Sequence, residues 1–495
     1  MALLVAAAAT VAVLVYPDIL KTGDGGDGRL EYELGPLLSP GASIFLPGTA
    51  EFRDKTTRWI DSLSPDIGAV VAVATEEDIQ QTVLYSNRHN QPILAFGGGH
   101  GAISSMEKVH NGIEIWMGRL NHVNINPDGN SVTIGGGTKS KAVIDRLWAA
   151  GKQTVTGVCE CVGITGAMLG GGRGTLQGQY GLLSDQLISS RLVLANGTAV
   201  TASKEENPDL FWALQGAGHN FGIVIEFTSK IYDARVNKTW VLEELVFTGD
   251  KLEELFSVHN RLMESQPPEL VLWSFLNLMP EIDPVKPVIR YIMLYDGPVS
   301  EQRSYAAPIH ELVPISSTRE EISYVDIPSK TGTGESDLSC QKGAVVLRFP
   351  NDLLEINVSA LRQAYETFSD MLAQEQAFIH SFFMIEAFSM QAVHAVDRES
   401  TAVPYRHNKL LLSPAIHYFP NKSLDTTAKE WGQRMRDVLL AGSGTSELQA
   451  YINYAYGDER IESWYGYEPW RLEKLRRLKR EFDPHGKFSF YAPID

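Results

Sequence analysis

From residue 67 onward the apolar positions run in a strand, helix, strand rhythm. Ile67 to Val73 is a β-branched run, Thr75-Glu76-Glu77-Asp78 has the form of a capped helix start, and Pro92 to Phe96 reads as a second strand. A glycine run follows that strand, and Ile113 to Met117 is the next apolar segment. The same reading predicts a strand at Ser131 to Gly135 and a helix around Ser140 to Ala150. It also predicts a hairpin over 191–201 that turns at Asn196-Gly197, and a strand from Phe221 to Phe227. Past Asp233 the texture changes to longer helices and strands with proline-rich joints, near Pro267-Pro268 and from Pro280 to Pro287. A flexible stretch is expected over 329–342. Near the end, Trp470, Leu472, Leu475, Leu478 and Phe482 make the buried stripe of a helix. Arg471, Lys474, Arg476, Arg477, Lys479 and Arg480 then fall on its solvated face.

Composition narrows the class. The 495 residues are 44% hydrophobic and 21% charged, ordinary for a folded protein and long enough for two or three structural units. A formal net charge of −17 argues against a nucleic-acid partner, which needs a basic footprint. Met1 to Val15 is almost wholly apolar, too short to span a bilayer and suited to a signal-peptide core, so 1–20 is expected to be one. Asn-x-Ser/Thr triplets at Asn196, Asn237, Asn357 and Asn421 fit the same secretory route, with a cytoplasmic location as the alternative. Of the cysteines, Cys159 and Cys161 are too close to pair comfortably, Cys340 lies in a polar stretch, and disulfides are not expected to build the fold.

Two segments carry the chemistry: Ala95-Phe96-Gly97-Gly98-Gly99-His100-Gly101-Ala102 and Gly157-Val158-Cys159-Glu160-Cys161-Val162-Gly163-Ile164-Thr165-Gly166. Each sets a nucleophilic side chain in a backbone stripped of Cβ atoms, where main-chain N–H groups can approach a bulky anionic ligand. An imidazole and a thiol near one ligand suggest covalent attachment. Gly97-x-Gly99-x-x-Ala102 also fits a dinucleotide fingerprint, but that fold needs a crossover helix after the glycines. The short, poorly patterned stretch from Ile103 to Asn111 does not supply one.

The order of these segments continues through Gly170-Gly171-Gly172-Arg173-Gly174, Tyr180 to Asp185, Val193 to Gly197, and Asp209 to Gly218. Taken together it resembles the FAD-binding module of the vanillyl alcohol oxidase superfamily, and within it the berberine bridge enzyme-like and glucooligosaccharide oxidase-like branch. The resemblance implies an α+β fold: a PCMH-type FAD-binding domain over 60–235, an antiparallel-sheet substrate domain backed by helices over 236–450, and a tail over 451–495 that returns to the FAD domain. It implies FAD bonded through His100 at the 8α-methyl and through Cys159 at C6. Phe96, Gly97, Gly98, Gly99, Gly101 and Ala102 would surround the first link, and Val162, Gly163, Thr165 and Gly166 the second. Gly170, Gly171, Gly172, Asp185, Gly222, Ile223 and Val224 would complete the cofactor set.

For the reaction, the resemblance points to Tyr451 and Tyr454 of Tyr451-Ile452-Asn453-Tyr454, read as a strand, and to Glu386 as a candidate base. Val162 matches a gatekeeper position where a small residue leaves space for dioxygen, which implies an oxidase. Ala167 departs from the pattern, since many relatives carry there a histidine that stabilises the reduced flavin, and Arg173 or the backbone N–H groups of the 170–174 run are the candidate substitutes. The expected function is oxidation of an alcohol, hemiacetal, C–H or C–N donor, from an oligosaccharide or a secondary metabolite, with electrons passing through FAD to oxygen and forming hydrogen peroxide. The alternative is a flavin-containing cyclase of secondary metabolism with no net redox change. A non-catalytic binding protein is disfavoured by survival of both attachment residues. The partners implied are a small-molecule substrate and oxygen, with no stable membrane span; the oligomeric state is not fixed by the sequence.

Overall fold

The computed structural model of the protein describes residues 28–235 and 239–495. The 1–20 segment and Asn237 lie outside the described residues. Among those residues no helix is long and apolar enough to cross a membrane.

The first half is built from two sheets. β1 (Ser43–Phe45), β2 (Ile67–Ala72), β3 (Ile93–Phe96) and β4 (Gly112–Trp116) form a mixed sheet in the order β1-β2-β4-β3, with β2 and β3 parallel to β4. The β-branched run of β2 is buried because the helix Glu76–His89 and the second sheet cover it, and Val71, Ile79, Val83, Ile115, Val193 and Ile223 share one core. That helix starts where the sequence places it: Thr75 Oγ1 accepts from the Asp78 N–H, and an Asp78 oxygen accepts from the Thr75 N–H. Only a short turn, Ser104–Lys108, lies between β3 and β4, so no dinucleotide-type crossover helix follows the glycines. β1 and the residues just after it lie outside the 60–235 span, yet β1 pairs antiparallel with β2 and belongs to this half.

The second sheet holds β5 (Val123–Ile125), β6 (Ser131–Gly135), β8 (Leu187–Val193), β9 (Ala199–Ser203) and β10 (Ile223–Lys230), in the order β5-β6-β10-β8-β9. A small separate pair, β7 (Lys152–Gln153) with β11 (Tyr232–Asp233), follows on from β10. The expected hairpin is β8–β9, with Asn196-Gly197 at its turn.

The second half is one antiparallel sheet: β12 (Thr239–Phe247), β13 (Leu270–Met279), β14 (Asp283–Tyr295), β15 (Ser316–Ser323), β16 (Val345–Arg348), β17 (Asn351–Leu353), β18 (Phe382–Phe388) and β19 (Leu410–Tyr418). Its order is β15-β12-β14-β13-β18-β19-β16, with β17 also on β19. Alternation along these strands makes two working faces. Leu272, Phe383, Ile385 and Leu412 pack under the helices Leu252–Glu264, Val358–Gln374 and Asp425–Gly442. Trp273, Ile292, Met384 and Phe388 point the other way, into a core shared with Ile164, Leu192, Phe211 and Phe227 of the first half. This is the α+β architecture, a sheet backed by helices, that the sequence implies.

The tail crosses back. The helix Pro469–Phe482 packs on the helix Pro208–Ala217, and its basic residues are not all on a wet face. Arg471 and Lys479 are buried: Arg471 donates to the Thr401 and Arg398 carbonyls, and Lys479 to the Asn220 carbonyl and the Asp483 carboxylate. Their long apolar stems let them serve as core residues with a polar tip, a pattern that helical periodicity cannot reveal.

The 329–342 stretch, expected to be flexible, is a strap tied across the first half. Glu160 N–H donates to the Thr333 carbonyl, Glu335 N–H to a Glu160 carboxylate oxygen at 2.8 Å, and Trp59 Nε1 to the Ser339 carbonyl at 2.8 Å. A disulfide joins Cys161 to Cys340, correcting the expectation that cysteines leave the fold unlinked. The sequence could not show this pair because 179 positions separate its members.

Asp185, expected among the cofactor residues, fastens the two halves together. Its carboxylate accepts from Arg406 at 2.6 and 2.9 Å and from the Leu182 N–H at 2.8 Å, and both side chains are buried. Removing one member leaves an uncompensated buried charge, which costs about 3–5 kcal/mol. Asp185→Ala and Arg406→Met are therefore expected to lower unfolding free energy by about that amount in denaturant titrations. The folded fraction of either variant should keep its cofactor; an Asp185→Ala protein of full stability that had lost cofactor would restore the direct binding role.

Candidate active site between the glycine loops and the sheet

The loop after β3 and the loop that carries the cysteines meet backbone to backbone. A Cβ on Gly98 would lie 2.3 Å from the Gly163 nitrogen, and one on Gly163 would lie 2.6 Å from the Gly98 nitrogen, so neither position admits a side chain. This contact places His100 beside the cysteine cluster. His100 Nε2 is 3.2 Å from Cys161 Sγ, and its ring stacks on Trp59 with centroids 5.0 Å apart. Cys159 is the free thiol, 3.4 Å from Cys161 Sγ and 3.5 Å from Cys340 Sγ.

The loops have unspent hydrogen-bonding capacity. The N–H groups of Gly98, Gly99, His100 and Gly101 donate to no acceptor among the described residues, while the Gly99 carbonyl accepts from Trp59. Thr165 Oγ1 and His219 Nδ1 are buried without partners, and a Cβ on Gly166 would meet nothing within 4 Å. Clustered free N–H groups, orphaned polar atoms and open space beside a glycine suit a phosphate-bearing ring cofactor, so the residues present fit FAD. Phe96 closes the floor under Gly99, and Ala102 packs with Ile60, Val346 and Ala415.

Other expected residues hold the frame. Gly222 lies against the Val193 carbonyl, and Ile223 and Val224 open β10; the Val224 carbonyl is in close approach to Gly136. Gly170 abuts the Asn453 side-chain amide, while Gly171 and Gly172 accept from the Ser184 and Leu183 N–H groups. Val162 is half-buried, its carbonyl engaged by Ser140, so only the side chain is free to act on its surroundings.

The sheet supplies the facing wall. Register sets Trp273 opposite Glu386, Phe275 opposite Met384, Phe382 opposite Ala415 and Ala415 opposite Arg348, so all share one face. Tyr451 to Tyr454 form a turn rather than the expected strand, because Tyr454 N–H closes back onto the Tyr451 carbonyl. That turn aims Tyr454 Oη at Glu386, 3.3 Å from Oε1, and leaves Glu386 Oε2 buried and unpartnered. Tyr451 Oη accepts from the Arg173 N–H and from Asn453, whose amide also donates to the Ala167 carbonyl. The Arg173 guanidinium, the candidate substitute for the histidine missing at Ala167, is held by Asp352 at 2.7 Å and lies 4.9 Å from the Tyr451 ring centre.

The electrostatics follow from burial. Desolvation pushes the Glu386 carboxyl up to about 7, against the pull of Arg173 and Arg348. Burial also raises Tyr451 and Tyr454, keeping both phenols protonated at neutral pH. Burial, with the charges of Arg348, Lys342 and Lys139, lowers His100 to about 3, so its imidazole is neutral. Burial raises the Cys159 thiol. Trp59 and Arg348 were not legible as site residues: each is isolated in an undistinguished stretch of sequence and reaches the site only through folding.

A free-N–H cradle for FAD facing a carboxyl–phenol pair on a sheet defines a flavin-dependent oxidoreductase. The chain matches the FAD binding domain family over residues 67–203. It is 43% identical over 467 residues to the FAD-linked oxidoreductase chyH of Penicillium rubens, covering 93% of both chains. It is 40% identical over 504 residues to the FAD-linked oxidoreductase chry5 of Gibberella zeae, covering 98% of each. The chain therefore belongs to the FAD-linked oxidoreductases that carry this FAD binding domain. Its fold is shared with BBE-like 1 of Physcomitrella patens at a TM-score of 0.81 and 21% identity, covering 94% of this chain and 99% of that one. A xylooligosaccharide oxidase of Myceliophthora thermophila matches at 0.81 and 20%, with the same coverage.

A carboxyl near 7 is protonated below that pH and able to accept a proton above it. The rate of cofactor reduction is expected to rise with pH through about 7 and then level off. Glu386→Gln should abolish that rising limb and slow reduction by about 10²–10⁴-fold, read by anaerobic stopped flow. A limb unchanged in Glu386→Gln would assign it to another group.

Proposed function

We propose that this chain is an oxidase of a small secondary metabolite, with FAD bonded covalently through His100 and Cys159. In the overall reaction a carbon bearing a hydroxyl or amine loses hydride and a proton, becoming the carbonyl or imine, while dioxygen takes the two electrons and two protons as hydrogen peroxide. The observation that carries this reading is the Glu386–Tyr454 pair, set on the sheet face opposite the His100 and Cys159 loops. Bound FAD supplies a hydride acceptor. Glu386 takes the proton from the substrate hydroxyl or amine, directly or through Tyr454 Oη, and the aromatic wall of Trp273, Phe275 and Phe382 excludes water from the reacting carbon.

Attachment at His100 is supported by its neutral imidazole, which keeps a lone pair for bonding. Attachment at Cys159 is supported by the disulfide between the other two cysteines, which leaves Cys159 as the free thiol; its raised pKa makes His100 the readier nucleophile. Val162 supports oxygen as the acceptor, since its short side chain leaves room where leucine would add a methylene. The disulfide also supports a secretory route, because such bonds persist in oxidising compartments. The cyclase alternative is not adopted: the relatives carry the name oxidoreductase, and a buried base beside a hydride acceptor serves net oxidation.

Acid precipitation tests the linkage. The unmodified protein and Cys159→Ala are expected to keep their yellow colour in the pellet, His100→Ala to keep what Cys159 has captured, and the double variant to release it all. Colour wholly in the supernatant of the unmodified protein rules out a covalent bond. The oxygen step is tested by Val162→Leu, which should slow aerobic reoxidation far more than anaerobic reduction by substrate. Equal effects on both half-reactions, or none, would remove Val162 from the oxygen path.

A further inference from the structure

Arginines buried in this fold are paired. Arg58 meets Glu114 at 2.8 Å, Arg173 meets Asp352 at 2.7 Å, Arg406 meets Asp185 at 2.6 Å and Arg436 meets Asp458 at 2.7 Å. Arg348, half-buried at the site, is the departure. Its guanidinium has no hydrogen bond to any described residue, and its Nη1 is shut off from solvent without a partner. It is held instead by rings: its carbon lies 4.2 Å from the centre of Tyr454, 5.7 Å from Trp59 and 5.8 Å from Phe382.

Its place in the sheet says what it faces. Arg348 on β16 is opposite Ala415, which is opposite Phe382 on β18, and Phe382 shares a strand face with Glu386. Tyr454 touches both charged residues, its ring under Arg348 and its hydroxyl on Glu386. Two buried polar atoms, Arg348 Nη1 and Glu386 Oε2, thus lack partners on one wall of one site. An unpaired cation in an aromatic pocket is costly unless an anion completes it, and a guanidinium presents two parallel N–H groups that match a carboxylate.

We infer that Arg348 is the anchor for an ionised carboxylate on the substrate, so that this enzyme acts on a small planar organic acid rather than on a neutral sugar. The inference rests on the site assignment under Proposed function and deepens it. The carboxylate lies on Arg348 against the Tyr454, Trp59 and Phe382 rings, and the group that loses its proton lies toward Glu386.

The flavin-loaded full chain can be titrated with benzoate and with its neutral isostere benzamide, reading the visible flavin spectrum. Benzoate is expected to bind saturably and at least tenfold more tightly than benzamide. Arg348→Met should weaken benzoate by tenfold or more and leave benzamide unchanged, while Arg348→Lys recovers part of the loss. The inference is overturned if benzoate does not bind, if it binds no better than benzamide, or if Arg348→Met leaves its affinity unchanged. It is also overturned if Arg348→Met shifts the ligand-free flavin spectrum with benzoate affinity intact, since the guanidinium's partner is then the cofactor. The titration involves no turnover, so an enzyme that fails to use oxygen overturns the oxidase reading and leaves this one standing.

Discussion

Everything in the site depends on two glycines that touch. Gly98 and Gly163 bring two loops from different sheets into direct main-chain contact, and a single methyl group at either would have to push backbone aside. The same device recurs along the seam. Gly136 lies against the Val224 carbonyl within the antiparallel sheet and Gly137 against the Met117 carbonyl just after β4, so at these points main chain meets main chain with no side chain between. Close approach frees the N–H groups of the His100 loop to face outward and sets the imidazole and the thiol cluster side by side. Glycine is costly in chain entropy, and here that cost is offset by a rigid, preformed cradle.

The second half contributes a wall whose chemistry comes from register. One face of an eight-stranded sheet carries apolar rings into the shared core and, at a few positions, places charge among them. Glu386 is neutral at mildly acid pH because it is dry, Arg173 is neutralised by Asp352, and the phenols between them stay protonated. Low dielectric makes each of these groups sensitive to its neighbours, which is how a buried carboxyl comes to titrate near neutral pH.

Local signals in the sequence carried the first half well. Strand runs, the Thr75 cap, the Asn196-Gly197 turn and the glycine loops all act over a few residues, and periodicity and turn chemistry read them directly. The family resemblance then brought FAD, His100, Cys159 and the tyrosine turn into view. What stayed hidden acts across the chain. Asp185 sits in a motif that suggests cofactor contact, yet its partner is Arg406, 221 positions away. The Cys161–Cys340 bridge, the tied-down strap, and Trp59 and Arg348 depend on tertiary contacts that leave no pattern in their neighbourhoods. Burial of Arg471 and Lys479 shows the same limit, since charge alone marks a face as wet.

The returning tail has a consequence for how the molecule can be divided. Asn220, in the first half, receives the Ile494 N–H on its side-chain oxygen, donates to the Ala492 carbonyl and the Tyr465 hydroxyl, and accepts Lys479 on its own carbonyl. The cofactor half is therefore assembled from both ends of the chain, with the substrate sheet threaded between them as an insertion. Modularity here belongs to space and not to sequence: a cut near residue 235 severs a domain instead of separating two.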